Sequence, residues 1–219
     1  MDRQVALLLA LAACGGGSSS PDAACQPPVL YLNRTGGAFD KGGHDDASAN
    51  LSVVLDGPRT LPPWPKDQTD WELLVSCIRA PLAPFPVTIT ETDPGPAPHV
   101  ELVFTTTAWT GSPATTSFIP SSCRPDHELA FIFGTALPTR ARQCHVALRA
   151  YAQMIANLSF GDQCEDVLND QADCVPERSF TDVTATCVDA GAQPAPCRCG
   201  GTTQNSYQAM VAVLPGCPE

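Results

Sequence analysis

Ten of the eleven cysteines run from Cys25 to Cys217, and they constrain this chain more than any other feature. They are Cys25, Cys77, Cys123, Cys144, Cys164, Cys174, Cys187, Cys197, Cys199 and Cys217. They follow a short apolar run at residues 5–13. That run is far below the roughly 20 residues of a membrane span, and it reads as a targeting segment. An even set of cysteines behind such a segment predicts up to five disulfides, formed in an oxidising compartment. The competing reading is structural zinc. Cys197-Arg198-Cys199 is C-x-C and lacks the paired C-x-x-C spacing of those sites.

The apolar run ends in Leu11-Ala12-Ala13-Cys14, which resembles a bacterial lipoprotein signal. That resemblance implies cleavage before Cys14 and lipid on its sulfur, so that the chain reaches a membrane through a lipid anchor. The other reading is an ordinary secretory signal in which Cys14 is incidental. Residues 15–20 are all Gly or Ser, the composition of a flexible tether. The expected organisation is a signal at 1–13, a lipidated tether at 14–27 and one domain at 28–219. The net charge of −11 argues against nucleic-acid binding, which needs a basic surface.

Periodicity then places the elements. Residues 29–33 read as a first strand, and 34–68, with glycines and Pro58, Pro62, Pro63 and Pro65, as loop. Trp71, Leu74, Val75 and Ile78 have helical spacing over 69–79, with Asp67 or Thr69 as cap and Pro81 as stop. Residues 87–92 and 100–106 read as strands, and 115–119 as a weaker one. Residues 129–133 are continuously apolar, as suits a central strand. A helix is expected at 143–158 with Ala147, Tyr151, Ile155 and Leu158 buried, and a last helix at 206–213. The fold class is α+β.

Several pieces in this order resemble the zincin-like, metzincin-type family of secreted metalloproteases. They are Trp64-Pro65, the stretch from Val87 to Pro94, the helix at 144–159, and the tail from Arg198 to Gln208. The resemblance implies a mixed twisted sheet with a backing helix and an active-site-type helix. It also implies an N-terminal subdomain at 28–163 and a cysteine-rich C-terminal one at 164–219. Family order further implies Cys123 paired with Cys144 and Cys164 with Cys174. The remaining six cysteines are unassigned, although Cys25 with Cys217 would join the two ends.

In that family two histidines four residues apart bind zinc and an adjacent glutamate activates water. Here Arg149 falls at the first ligand, Ala150 at the general base, Gln153 at the second ligand and Ser159 at the third. Leu168 falls at the methionine of the following turn. Arginine has no lone pair to give and keeps its charge. Alanine accepts no proton. The resemblance thus implies the shape of a protease without its chemistry, with no metal and no cofactor.

Other polar clusters are His145, then Asp126-His127-Glu128, then His44-Asp45-Asp46. Such clusters usually face solvent, and they are the material for any rearranged site. The leading expectation is an envelope or surface lipoprotein with a non-catalytic zincin-like domain. Its cleft would hold a peptide or protein partner against an edge strand at 115–119. The alternatives are an active zinc protease with displaced ligands and a purely structural lipoprotein.

Overall fold

The computed structural model describes residues 26–106, 116–117, 123, 127–137, 139–171, 174 and 177–214. Residues 1–25, which include Cys14 and all but the last two residues of the expected tether, lie outside that range, as do Asp126 and the expected Cys25–Cys217 bridge.

The architecture is mixed α+β. A five-stranded sheet is built from β1 (Val29–Asn33), β5 (Thr88–Thr90), β6 (Val100–Thr105), β7 (Thr116–Ser117) and β8 (Leu129–Phe133). Their spatial order is β5-β1-β6-β8-β7. The first four in that order are parallel, and β7 alone runs antiparallel, at the edge beside β8. Every residue of β8 is buried, as its unbroken apolar sequence requires of a strand covered on both faces. The expected edge strand at 115–119 is described at Thr116–Ser117.

One face of the sheet carries the helices. Leu30, Leu32, Leu102, Phe104, Ala130 and Ile132 meet α1 (Gln68–Leu82) and α2 (Arg140–Ala156) in one core. Asp67 is the cap of α1, its side chain accepting from Asp70 N at 2.9 Å. The helix does not stop before Pro81. Pro81 lies within its last turn, and Leu82, 1% exposed, completes the apolar face. That burial outweighs the one hydrogen bond a proline cannot donate. Trp64 packs edge-on against Phe104 and tilted against Trp71, and Gly134 leaves room for its indole.

Helix α2 begins earlier than its apolar pattern implies, because Thr139 caps it by accepting from Arg142 N. It ends at Asn157, which caps it in the left-handed conformation at φ 51°, a region that asparagine tolerates better than most residues. A single buried stripe of Ala147, Tyr151, Ile155 and Leu158 is not what forms. Residues 143–154 are buried all round, while Ile155 is only half-buried. The helix is enclosed by α1, by the sheet and by α3 (Ser206–Val213).

The opposite face holds the main departure from expectation. Residues 34–68 are not simply loop. They form β2 (Gly37–Lys41), β3 (Leu51–Ser52) and β4 (Arg59–Leu61), a small sheet in the order β3-β2-β4. Phe39, Ala47, Leu55 and Leu61 bury themselves against Val103, Leu129, Phe131 and Phe133. These apolar residues are too sparse to make a periodic pattern, so only the large sheet gives them a partner.

The C-terminal part has a three-stranded antiparallel sheet of β9 (Phe160–Gly161), β10 (Ala185–Val188) and β11 (Thr203–Gln204). Four disulfides are present among the described residues. Cys144 is bonded to Cys77, not to Cys123 as family order implies, and the bridge ties α1 to α2. Cys123 is bonded to Cys199. Cys164 is bonded to Cys174, and Cys187 to Cys197.

Candidate functional site

Arg149 and Gln153 lie four residues apart on α2, so they share a helix face. Both are 3% exposed. The Arg149 guanidinium does not reach solvent. Its Nη1 donates to Asp170 Oδ1, and its carbon lies 5.1 Å from the centre of the Phe160 ring. Arg142, two turns earlier, donates to the same carboxylate oxygen at 2.5 Å. Burial pushes the Arg149 pKa down, and Asp170 opposes that shift. Burial would raise the Asp170 pKa, but Arg149 and Arg142 outweigh it and hold the carboxyl below its usual range.

His145 completes this cluster. Its Nε2 lies 2.8 Å from Val167 O, an acceptor, and 3.1 Å from Arg178 Nη1, a donor; the shorter carbonyl contact assigns the ring proton to Nε2 and leaves the lone pair on Nδ1 to accept from Arg142 Nη1 at 3.1 Å. Arg178 lies beside it, donating to Asn169 O and to Gln171 O. Burial, then Arg149, Arg178 and Arg142, push the His145 pKa down to about 3. The ring is therefore neutral at physiological pH. It is a connector between α2 and the turn at 164–169, not a free ligand.

Ser159, expected at a third ligand position, is also engaged. Ser159 Oγ accepts from Arg198 N at 2.7 Å. The Gln204 side chain clamps the Ser159 backbone at both ends, accepting from its N at 2.9 Å and donating to its O at 2.7 Å. The Gln153 side chain has no hydrogen-bond partner among the described residues, and no side-chain hydrogen bond joins any two of Arg149, Gln153 and Ser159. Ala150 is fully buried in the helical core. Leu168 fills the core beneath α2 at 2% exposure.

The tail segment has a mechanical role in this arrangement. Arg198 and Gln204 hold Ser159, Asn205 caps α3 by accepting from Gln208 N, and Ser206 Oγ donates to Asp166. Asp166, 2% exposed, also accepts from Leu168 N at 2.8 Å and from Thr181 Oγ1 at 2.7 Å. One buried carboxylate thus fixes the turn, the strand-like segment after it and the start of α3.

Beside the ion pair lies a cavity of about 280 Å³ lined by Phe160, Asp170, Gln171, Val188, Asp189 and Gly191. A larger hollow of about 900 Å³ lies between α1 and α2, over the Cys77–Cys144 bridge, with Leu73, His145 and Arg178 in its walls.

The two remaining polar clusters meet across 82 residues. His127 Nδ1 lies 2.9 Å from Asp45 Oδ2, and Asp45 Oδ1 accepts from Ser52 Oγ and Val53 N. Glu128 Oε2 accepts from Ala47 N. Asp46 caps a short 3₁₀ turn, and His44 is exposed. These groups lock the small sheet to the start of β8. Among the described residues, no three His, Cys, Asp or Glu side chains stand together as a metal site.

Sequence reasoning missed Asp170, Arg178, Asp166 and Glu101. For Glu101 a signal was present: a carboxylate in the otherwise apolar Val100-Glu101-Leu102-Val103-Phe104. For Asp170 and Arg178 there was none, since both lie in an irregular segment.

No family model matches this chain, no curated protein is significantly similar to it, and neither is any solved structure.

Proposed function

We propose that this chain is an exported lipoprotein whose zincin-like domain binds an extended peptide or protein segment and does not hydrolyse it. The observation that carries this reading is the Arg149–Asp170 ion pair. At the position resembling the first zinc ligand, a buried guanidinium already supplies a positive charge and already has its carboxylate. A divalent cation placed there would be repelled, and no base stands at Ala150 to activate water. The element order and the antiparallel edge strand β7 support the family reading. An edge strand offers unpaired main-chain groups to an incoming extended segment, and the cavity beside Phe160 offers a side-chain pocket.

Four disulfides point to an oxidising compartment. No helix among the described residues is long and apolar enough to cross a membrane. Attachment is assigned to lipid on Cys14. Bacterial lipoproteins carry more than one chain, which is what firm anchoring needs.

The test uses the mature protein. Elemental analysis should find no stoichiometric zinc, and a chelator should change neither stability nor any peptide cleavage. A library of extended peptides should contain ligands whose binding is lost in Thr116→Pro, which disrupts main-chain pairing at β7. One equivalent of tightly held zinc would restore the active-protease reading. Absence of any β7-dependent ligand would leave a purely structural role.

A further inference from the structure

Glu101 stands in the middle of β6, paired with Tyr31 of β1 and Leu129 of β8. It lies on the sheet face opposite the helices, in line with Val103 two residues on. The side chain is 2% exposed. Oε1 accepts from Asn33 Nδ2 at 2.7 Å. Asn33 has little more to offer, because Nδ2 also donates to Gly36 O and Oδ1 accepts from Thr35 N and Thr35 Oγ1. A carboxylate has about four acceptor positions. Oε2 has no partner among the described residues.

Glu101 does not end against apolar atoms. It forms part of the wall of a cavity of about 210 Å³, together with Tyr31, Asn33, Ser48 and Asp93. Asp93 is held in place by accepting from Gly95 N at 2.7 Å. Two carboxyl groups therefore line one small polar cavity, and among the described residues no lysine, arginine or histidine lines it. A buried carboxylate without a cation is costly unless something supplies one. Burial, with Asp93 nearby, raises the Glu101 pKa to about 7, so the group stands ready to ionise when a positive charge arrives.

We propose that this cavity binds a primary ammonium group on a short carbon stem, with Glu101 as its main partner and Asp93, Asn33 and the Tyr31 ring around it. The size of the cavity fits. It is several times the roughly 30 Å³ of one water, so it admits a stem as well as a head group. An aromatic wall suits an organic cation. A bare calcium ion suits it less, because calcium takes six to eight oxygen ligands, and among the described residues the lining adds to its two carboxyl groups only neutral side chains, of which Asn33 Oδ1 is already taken by Thr35. The site is on the opposite side of the sheet from α2 and is independent of the peptide-binding reading.

The experiment is a thermal-shift and calorimetric titration of the mature protein at pH 8. The probes are n-propylammonium, N-acetyl-lysine methylamide, the neutral isostere propan-1-ol, sodium chloride and calcium chloride. The ammonium probes should give a saturable stabilisation that propan-1-ol and sodium chloride lack. It should be lost in Glu101→Gln and weakened several-fold in Asp93→Asn, which leaves the sheet interior untouched. Saturation by the lysine derivative alone would assign the ammonium to a peptide side chain, and saturation by both would admit free amines. Saturation by calcium alone, no saturable shift with any probe, or an unchanged shift in both variants would overturn the proposal.

Discussion

Arg149 of α2 and Asp170 form an ion pair of unequal burial: the Arg149 side chain is 4% exposed and the Asp170 side chain 31%. The carboxylate, shared with Arg142, reaches the edge of a cavity while the guanidinium is enclosed. Removing the two partners should therefore cost different amounts.

Asp170→Asn leaves a buried guanidinium without its counter-charge. Breaking one partner of a buried pair costs about 3–5 kcal/mol, and partial exposure of Asp170 places this variant near about 3. Arg149→Met removes the charge and keeps an apolar stem over Phe160, so it should cost less. The double variant should be more stable than Asp170→Asn alone. Urea unfolding midpoints read all three, and equal losses in the two single variants would contradict this account.

Glu101 gives stability a pH dependence of known sign. Its pKa is raised from 4.5 to about 7, so the folded protein holds the proton more tightly than the unfolded chain. Stability from this group is full below pH 4.5, falls as pH rises through about 7, and is flat above. At about 1.36 kcal/mol per unit the total fall is about 3 kcal/mol. Glu101→Gln should abolish it, which denaturant titrations at pH 5 and pH 8 will read.

His145 acts in the opposite sense. Its pKa is lowered from 6.5 to about 3, so its contribution is full above pH 6.5 and is lost as pH falls toward 3. Between pH 4.5 and 6.5 the two groups oppose each other, and the native protein should show a shallow profile there. Glu101→Gln should expose a clear loss of stability on acidification. Imidazole NMR signals from His145 should show one neutral tautomer, protonated on Nε2, from pH 8 down to pH 5. A midpoint near 6.5 would contradict the arrangement.

The Cys77–Cys144 bridge closes a loop of 67 residues between α1 and α2. The chain-entropy model assigns such a loop about 4 kcal/mol. Cys77→Ser with Cys144→Ser should lower stability by about that amount. Peptide mapping without reduction should recover Cys77 linked to Cys144 and Cys123 linked to Cys199. Recovery of Cys123 linked to Cys144 would refute the connectivity.

What the sequence determined by itself is local. The apolar runs at 29–33 and 129–133 are strands, and the spacing of Trp71, Leu74, Val75 and Ile78 is a helix, because period and burial follow from one stretch of chain. The tail from Arg198 to Gln208 stood out in the sequence too, but its work of clamping Ser159 and anchoring Asp166 did not. What only the tertiary structure decided is which distant groups meet. Cys123 and Cys164 both lie nearer to Cys144 in sequence than Cys77 does, and only the packing of α1 on α2 selects the distant partner. Asp45 and His127 belong to clusters that look solvated until the small sheet folds over β8 and buries both. For Arg149 the sequence offered only a resemblance, which set it at a zinc-ligand position. Asp170, placed by an irregular turn with no periodic signal, makes it half of an internal ion pair. Charge pairing across the fold depends on where loops arrive in space, and that position is set by the packing of the whole domain.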